Sequence, residues 1–419
     1  MTDLPLDRSY RALLRVPTLS RLILAMQVAR VAQAMFGIIL VLFALTQYRS
    51  PALAGIVTFA ATFPSVIASP IAGALLDRHG RIRLVILDYL VAGVTLLVIA
   101  VLAVANALPA ALLVVIAAAS SLTVALSQTG LRSLFPILVP RHLWERANAI
   151  DSNGYVVAQV LGPPAAAVLF AFAGGPVAMV AIAVCFGAAA VAIVGVDDPI
   201  TASASTGNLL RDAWQGVLYT WRNRTLRGLG FSISMLNLMG GMMTIVIPLL
   251  VLRQLGLGEA VVGIPFAISG IAGMASAFYF GRHDTRGREY GMLVWPTIGI
   301  AAGVLLLLPV AAASPAGSPG AIDPAVGFAL LATSALAWGF LNGPLDIALF
   351  TVRQRRTDPA WMGRAFAVSM AFNFTGYPIG AAATGAIATH SLVAAILLGL
   401  AAAVASAVLA AVLVPRTDA

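Results

Sequence analysis

The chain has 419 residues, of which 60% are hydrophobic and 10% are charged, and its mean hydropathy is +0.97. A soluble domain contains about 25% charged residues, so this chain cannot hide its apolar surface from water and must expose it to lipid. The net charge of +9 comes from arginines that lie in short clusters between apolar runs, an arrangement that argues against nucleic-acid binding. The single Cys185 excludes an intrachain disulfide and a Cys-based metal site.

Apolar runs long enough to cross a membrane recur along the chain. A helix needs about 20 apolar residues to span the hydrocarbon, and the runs between arginines or Gly/Pro breaks predict twelve such helices. They cover roughly residues 19–46, 52–76, 84–106, 110–131, 147–172, 176–196, 228–252, 259–281, 291–313, 325–350, 365–389 and 392–414. The sequence therefore predicts an all-α integral membrane protein.

The arginines are distributed very unequally between the two sides of the predicted membrane. Twelve spans place both termini on one side, where 22 of the 25 arginines also fall; Arg49 and Arg253 lie on the other side, and Arg30 lies within the first span. Positively charged loops stay in the cytoplasm, and the all-arginine, alanine-rich composition suggests a GC-rich bacterial genome. We therefore expect a multi-pass protein of the bacterial inner membrane with both termini cytoplasmic.

A long loop divides the predicted spans six and six. We expect an N-terminal six-helix bundle in residues 1–196, a cytoplasmic linker in 197–227 and a C-terminal six-helix bundle in 228–419. The linker begins with Asp197, Asp198 and Pro199, followed by Ser, Thr and Ala, which is typical of a flexible segment, and it ends in a predicted amphipathic helix capped by Asn208. The apolar face of this helix, which we expect to lie on the inner membrane surface, consists of Leu210, Trp214, Val217, Leu218 and Trp221.

An arginine-rich turn occurs once in each half. The first copy reads Gly73-x3-Asp77-Arg78-x-Gly80-Arg81, and Asp, Gly and Arg recur 207 residues later as Asp284, Gly287 and Arg288. Glycine permits the tight turn, while the carboxylate can bind a neighbouring helix N-terminus or arginine in one conformation and lose it in another. We interpret both turns as conformational latches, with simple retention of arginines in the cytoplasm as the alternative.

This turn resembles the signature between helices 2 and 3 of the major facilitator superfamily. Gly154-x3-Ala158-x3-Gly162-Pro163 is similar to the helix-5 motif of its drug/proton antiporters, although Ala158 stands where Gly is usual. The segment 132–149 is similar to the branch that contains macrolide and enterobactin exporters. The resemblance implies two pseudo-symmetric six-helix bundles around a central cavity, lined by helices 1, 4, 7 and 10 and opened alternately to each side.

Arg30 is predicted to lie near the middle of the membrane, about 14 Å past Arg21 along the first helix. A charge at this depth costs at least about 2.5–3.5 kcal/mol unless it faces water or a partner. Gln27 and Gln33 extend a polar stripe around it. We expect these three residues to line the substrate cavity, with Arg30 binding an anionic substrate group or a carboxylate. A structural ion pair is the alternative.

Asp346 is the predicted proton carrier. Trp338, Asn342 and Asp346 share one face of the tenth span, and Asp346 lies about 10 Å from the inner surface. An offset of 218 places Gln128 at the matching level of the other half, and Asn237 has an amide that is costly to leave unsatisfied in lipid. We expect Gln128, Asn237, Trp338 and Asn342 to line the cavity; a permanent ion pair or helix-end cap at Asp346 is the alternative.

Two further carboxylates lie nearer the inner surface. Asp88 and Asp151 each follow an arginine, Arg83 and Arg146, by five residues, so both are predicted to form structural ion pairs with loop arginines that reach into the membrane.

These features predict a secondary active transporter that exports small amphiphilic compounds in exchange for protons. Uptake of a nutrient and lipid flipping use the same architecture, and a non-transporting membrane sensor is the alternative from another class. The scattered histidines form no catalytic or metal motif, so we expect no enzymatic activity, metal or cofactor. The expected partners are a small-molecule substrate, the proton gradient and the lipid bilayer, without nucleic acid, for a protein that acts as a monomer.

Overall fold

The computed structural model describes residues 9–196, 198, 209–282, 287–358 and 361–416. All regular elements of these residues are helical, and the predicted twelve-helix membrane fold is confirmed. We label the spanning helices α1 to α12. Their bounds are Leu19–Gln47 (α1), Pro51–Ala60 with Phe63–His79 (α2), Arg81–Val104 (α3), Ala110–Leu138 (α4), Trp144–Ile193 (α5 and α6), Arg224–Leu249 (α7), Gly263–Phe280 (α8), Glu289–Leu305 with Leu308–Ala312 (α9), Pro324–Arg355 (α10), Met362–Ala388 (α11) and Leu392–Leu413 (α12).

Length and apolarity account for the spans. Ten stretches of the described residues are long and apolar enough to cross a membrane. The stretch Asn153–Ile193 has 41 residues, about twice the length of one span, and Gly174 leaves the helical conformation within it with φ 78°. It therefore contains α5 and α6, while α11 is the twelfth span.

Side-chain caps and prolines determine where several helices begin and break. Ser50, Asn223, Asp323 and Ser391 each accept a backbone N–H at the start of α2, α7, α10 and α12, which satisfies a donor that the helix cannot pair internally. The second segment of α2 begins with Pro64 in its first turn, because proline has no N–H to continue the preceding helix. These breaks agree with the Gly/Pro punctuation of the sequence.

The halves meet along two helix pairs, α2 with α11 and α5 with α8. Small residues allow the backbones to approach closely: a Cβ atom at Gly55 would lie 2.8 Å from Gly385 Cα, and one at Gly263 would lie 2.8 Å from the Pro163 carbonyl oxygen. These contacts lie towards the arginine-poor face, which we define by the ends of α1 and α7. There, Arg253 Nη2 donates to the Arg49 carbonyl oxygen at 3.1 Å. The structure is therefore closed at the arginine-poor face.

A separate helix, Leu209–Arg222, lies in the segment between the halves. Trp214 and Trp221 are exposed on it, whereas Tyr219 stacks on Trp361 with ring centroids 5.0 Å apart and its hydroxyl accepts the Asp358 N–H at 3.0 Å. The helix is thus anchored to the second half through its polar side. The predicted cap Asn208 and the side chain of Leu210 lie outside the described part of the chain.

Candidate functional site

Arg30 of α1 is bound to α5. Its Nη2 forms an ion pair with the Asp151 carboxylate, and its Nη1 donates to the Asp151 carbonyl oxygen at 2.8 Å. The Arg30 side chain is 11% exposed and that of Asp151 is 10% exposed. The structure thus places Arg30 against a carboxylate, which agrees both with the predicted carboxylate contact and with the alternative of a structural ion pair. Asp151, for which a loop arginine was predicted, pairs with this arginine inside the membrane.

Tyr155 and Gln128 extend this contact towards α4. The Arg30 guanidinium carbon lies 3.9 Å from the centroid of the Tyr155 ring, a cation–π contact, and Tyr155 Oη donates to Gln128 Oε1 at 3.0 Å. A small cavity of about 30 Å³ is lined by Arg30, Gln33, Ser127, Gln128 and Tyr155, together with four apolar or aromatic neighbours. This volume is enough for one or two water molecules, so the cluster can exchange protons and hydrogen bonds with water.

The helix-5 motif positions Arg30 by bringing α1 and α5 close together. A Cβ atom at Gly154 would lie 2.6 Å from Gln27 Cδ, and one at Gly162 would lie 3.2 Å from the Val31 carbonyl oxygen. The next residue, Pro163, faces α8 of the other half. The predicted motif therefore joins the polar cluster of the first half to the contact between the halves. Gln27 lies over Gly154, with its Oε1 unpaired within the described residues.

In the second half, Asp346 and Asn342 lie together on α10. Asn342 Nδ2 donates to Asp346 Oδ2 at 2.7 Å, and both side chains are half-buried. Asp346 forms no ion pair within the described residues. Trp338, one turn before Asn342, packs over Gly240 of α7, where a Cβ atom would lie 3.6 Å from the indole ring. The three predicted residues of α10 are thus brought together on one face.

Arg353, two turns beyond Asp346 on α10, is a buried arginine that sequence reasoning assigned only to the loop clusters. It has no exposed surface, and its Nη1 donates to Met370 Sδ at 2.8 Å. With its amide oriented as its neighbours require, Asn373 accepts from Arg353 Nη2 at 2.6 Å and donates to the Ser369 carbonyl oxygen. The position near a helix end concealed this role, because an arginine there satisfies the positive-inside pattern wherever its side chain points.

The two clusters are related by the internal repeat. Asn237 of α7 stands 207 residues after Arg30, and its Nδ2 donates to the Asn373 carbonyl oxygen of α11 at 3.0 Å. In each half, therefore, a polar side chain of the first helix binds the backbone of the fifth. The offset of 218 relates Asp151 to Ser369 and Tyr155 to Asn373, so the second half repeats the contact one helical turn further along its fifth helix and without the ion pair.

Asp88 forms no ion pair with an arginine whose side chain the structure describes, in contrast to the prediction. Its side chain is 2% exposed and lies beside the hydroxyls of Thr123 and Ser127 on α4, while Arg83 is exposed. The prediction was wrong because the turn of α3 that carries Asp88 faces α4, and depth along a helix does not reveal the direction of a side chain.

The latch residues lie on the arginine-rich face, at the opposite end from Arg49 and Arg253. Gly73 lies in α2, and Gly80 links α2 to α3 with φ 88°, a conformation that favours glycine. Arg78 is exposed. The side chain of Asp77 and the whole of Asp284 lie outside the described part of the chain; Gly287 has φ 75° and Arg288 precedes α9.

Asp198, predicted as flexible linker, binds the first latch. Its Oδ2 accepts the Ile82 N–H at 3.1 Å, and its Oδ1 lies 3.9 Å from Arg81 Nη1. A carboxylate at a helix N-terminus is favoured by the helix dipole. The segment after α6 therefore contacts the turn between α2 and α3, a role that the sequence signalled only through the pair of aspartates at 197–198.

The described residues contain no group of His, Cys, Asp or Glu that could hold a metal ion. The chemistry available to the site is therefore that of carboxylate, guanidinium, phenol and amide groups: hydrogen bonding, ion pairing and proton exchange.

The chain is similar to membrane transporters along most of its length. The profile of the Major Facilitator Superfamily matches residues 22–381. A relative described as an uncharacterized MFS-type transporter y4rN, from Sinorhizobium fredii (strain NBRC 101917 / NGR234), is 36% identical over 386 residues, which cover 92% of each chain. The crystal structure of a mutant of the nucleoside transporter NupG is similar with a TM-score of 0.68, covering 93% of this chain and 98% of that chain at 15% identity. At this identity the likeness shows the fold alone.

Proposed function

The chain belongs to the major facilitator superfamily and is a multi-pass membrane protein for secondary transport of a small molecule, and we propose that it exports an amphiphilic compound in exchange for protons. The observation that carries the proposal is the contrast between two polar clusters. The charge of Arg30 is compensated by Asp151, whereas half-buried Asp346 is bonded to the neutral amide of Asn342. A carboxylate without a permanent counter-ion can take up and release a proton as its surroundings change.

Amide groups and aromatic rings lie around these charges, and this mixture of polar and apolar surface suits an amphiphilic substrate. Gln33 and Gln128 line the small cavity beside Tyr155, and Asn237 and Trp338 are half-buried at the corresponding level of the second half. An amide can donate and accept a hydrogen bond, and an aromatic ring offers apolar surface. The similarity of the Gly154–Pro163 segment to the antiporter motif favours export over uptake.

We propose that the arginine-rich face is cytoplasmic and that the bundles 1–196 and 228–419, joined by the linker 197–227, rock against each other. Closure at the arginine-poor face, through α2–α11 and α5–α8, supports an alternating mechanism in which the latch turns hold the opposite end in the other state. Binding of Asp198 to Arg81 and Ile82 supports a role for the first turn in that movement.

Growth of expressing cells across a chemically varied panel of toxins tests the proposed export. We expect resistance to a subset of amphiphilic compounds and lower accumulation of a labelled one than in cells with an empty vector. Higher accumulation would identify uptake instead, and no change for any compound would contradict drug-like export.

Inverted membrane vesicles test the proton coupling directly. Uptake of the identified compound should depend on an imposed pH gradient in the wild type and lose that dependence in Asp346→Asn, which should retain exchange of labelled for unlabelled compound. Asp323→Asn is the matched control, because this carboxylate caps α10 at the arginine-poor face. Gradient-driven uptake that persists in Asp346→Asn would place the carrier elsewhere.

A further inference from the structure

Asp88 of α3 is a buried carboxyl group that the proposed mechanism does not use. Its side chain is 2% exposed, and its Oδ1 has no hydrogen-bond partner within the described residues. The nearest polar groups are the hydroxyls of Thr123 and Ser127, one turn apart on α4. A carboxyl group in this position must either be compensated by these hydroxyls or carry a proton.

The two hydroxyls can serve either state of Asp88. Thr123 Oγ1 lies 3.1 Å from the Ser120 carbonyl oxygen, and Ser127 Oγ lies 3.2 Å from the Val124 carbonyl oxygen. A hydroxyl has one proton and two lone pairs. Each hydroxyl can therefore turn its proton to the Asp88 carboxylate, or leave it on the backbone and accept the O–H of a neutral acid. The site can hold Asp88 in both protonation states, and with no counter-ion among the described residues burial favours the neutral one.

The charged and titratable groups around α3 do not compensate an ionised Asp88. No ion pair to Asp88 occurs within the described residues. Arg81 binds Asp198, and Arg30 binds Asp151. The other titratable groups of α5 and α6 are half-buried Arg146, Tyr155 and Cys185, and α2 carries exposed Arg78 and His79. Tyr89 and exposed Arg83 share α3 with Asp88. The side chains of Asp77, Arg132 and Glu145 are outside the described part of the chain.

Ser127 connects Asp88 to water. The Ser127 side chain lies beside Asp88 and also lines the small cavity with Arg30, Gln128 and Tyr155, which has room for one or two water molecules. A proton can pass from cavity water through the Ser127 hydroxyl to the carboxylate. A hydronium ion in the cavity loses one O–H bond and becomes water, Ser127 Oγ gains that proton as it gives its own to Asp88, and the carboxylate gains an O–H bond and becomes neutral.

We propose that Asp88 is a second proton-binding site, located in the first half and loaded through Ser127 when the arginine-poor face is closed. A role for this site in coupling rests on the proposed proton-coupled transport. The occupancy of Asp88 by a proton, in contrast, can be measured without transport. The two coupling carboxylates would then lie in different halves, Asp88 on α3 and Asp346 on α10.

Infrared spectroscopy of the purified full-length protein tests the occupancy. The difference between the wild type and Asp88→Asn should contain a carbonyl band of a protonated carboxylic acid that shifts on exchange into D₂O and is also present in Asp346→Asn. No such band at any pH at which the protein is folded would overturn the proposal. Asp88→Asn should melt close to the wild type, since a neutral amide replaces a neutral acid.

A second variant keeps the test decisive if Asp88→Asn does not fold. Thr123→Val with Ser127→Ala preserves Asp88 but removes both acceptors, so the carbonyl band of Asp88 should shift in frequency; an unshifted band would show that the hydroxyls do not bind the acid. Asp151→Asn is the matched control, because that carboxylate is paired with Arg30 and its replacement should remove no protonated-acid band.

Transport stoichiometry separates this inference from the proposed function. The reversal potential of substrate flux in proteoliposomes should indicate one proton fewer per substrate for Asp88→Asn than for the wild type. If the acid band is present but flux never depends on protons, the site stands and the proposed coupling fails. If flux is proton-driven with an unchanged stoichiometry in Asp88→Asn, Asp88 is not a coupling site.

Discussion

The ion pair between Arg30 and Asp151 gives a quantitative test of how the first half is held together. The variants are Arg30→Gln, Asp151→Asn and their combination, each of which keeps a polar side chain of similar size. The pair is about nine-tenths buried and joins α1 to α5 near the Tyr155 ring. Removing either charge breaks this ion pair in a place that water reaches poorly.

The structure sets the expected size of each effect. Breaking a buried pair by removing one partner costs about 3–5 kcal/mol, and we expect this for Arg30→Gln. In Asp151→Asn the guanidinium keeps the backbone carbonyl of residue 151 and the Tyr155 ring, which contributes about 0.5–2 kcal/mol, so we expect a loss of about 2–3 kcal/mol. The double variant removes both charges of the pair and should be more stable than Arg30→Gln, which requires a coupling larger than the loss of about 2–3 kcal/mol in Asp151→Asn.

Thermal unfolding of the four purified proteins in one detergent measures this cycle. The single variants should melt well below the wild type, and the double variant should recover part of the loss. Additive effects, with the double variant the least stable protein, would refute the reasoning, because they would mean that the two charges do not compensate each other. Unchanged melting of either single variant would do the same.

Three further predictions follow from single contacts. Gly162→Val should lower the melting temperature and the yield of monodisperse protein, because overpacking costs about 1–3 kcal/mol where α1 and α5 approach; Gly187→Val, at a position with open space, is the control. Tyr155→Phe removes the hydrogen bond to Gln128 but keeps the aromatic ring on Arg30, so the free energy of unfolding should fall by about 0.5–1.5 kcal/mol. Tyr155→Leu, which also removes the ring, should lower it further. Asp198→Asn should weaken the contact with α3 and alter the transport rate more than substrate affinity; an unchanged rate would remove Asp198 from the moving parts.

The sequence predicted the membrane fold well because lipid imposes a simple rule on it. A span must be apolar for about 20 residues, and arginines mark the loops on one side, so composition and punctuation locate the helices. The ends of the helices were predicted less well. The helix α4 continues to Leu138 and α10 continues to Arg355, beyond the predicted ends at 131 and 350, because a helix does not need to stop where the lipid stops.

The site was less predictable because depth along a helix does not specify a partner. Asp151 lies near Arg146 in the sequence, but a long arginine side chain points back towards the start of its helix and reaches a carboxylate that lies closer to the surface than its own Cα. Arg30 therefore meets Asp151 across the α1–α5 contact. Asp88 was assigned an arginine by the same depth argument, and the direction of its side chain places it beside α4 instead.

The repeated contact between the first and fifth helix of each half explains why similar geometry can serve different chemistry. In both halves a polar side chain binds the backbone of the fifth helix, and small residues bring the helices close; only the first half adds an ion pair to this contact. In the first half Arg30 and Asp151 form an ion pair. In the second half Asp346 and Arg353 are two helical turns apart on α10. Packing is thus shared and charge compensation is not, so the protonation that we propose for Asp346 would not break the contact that holds its bundle together.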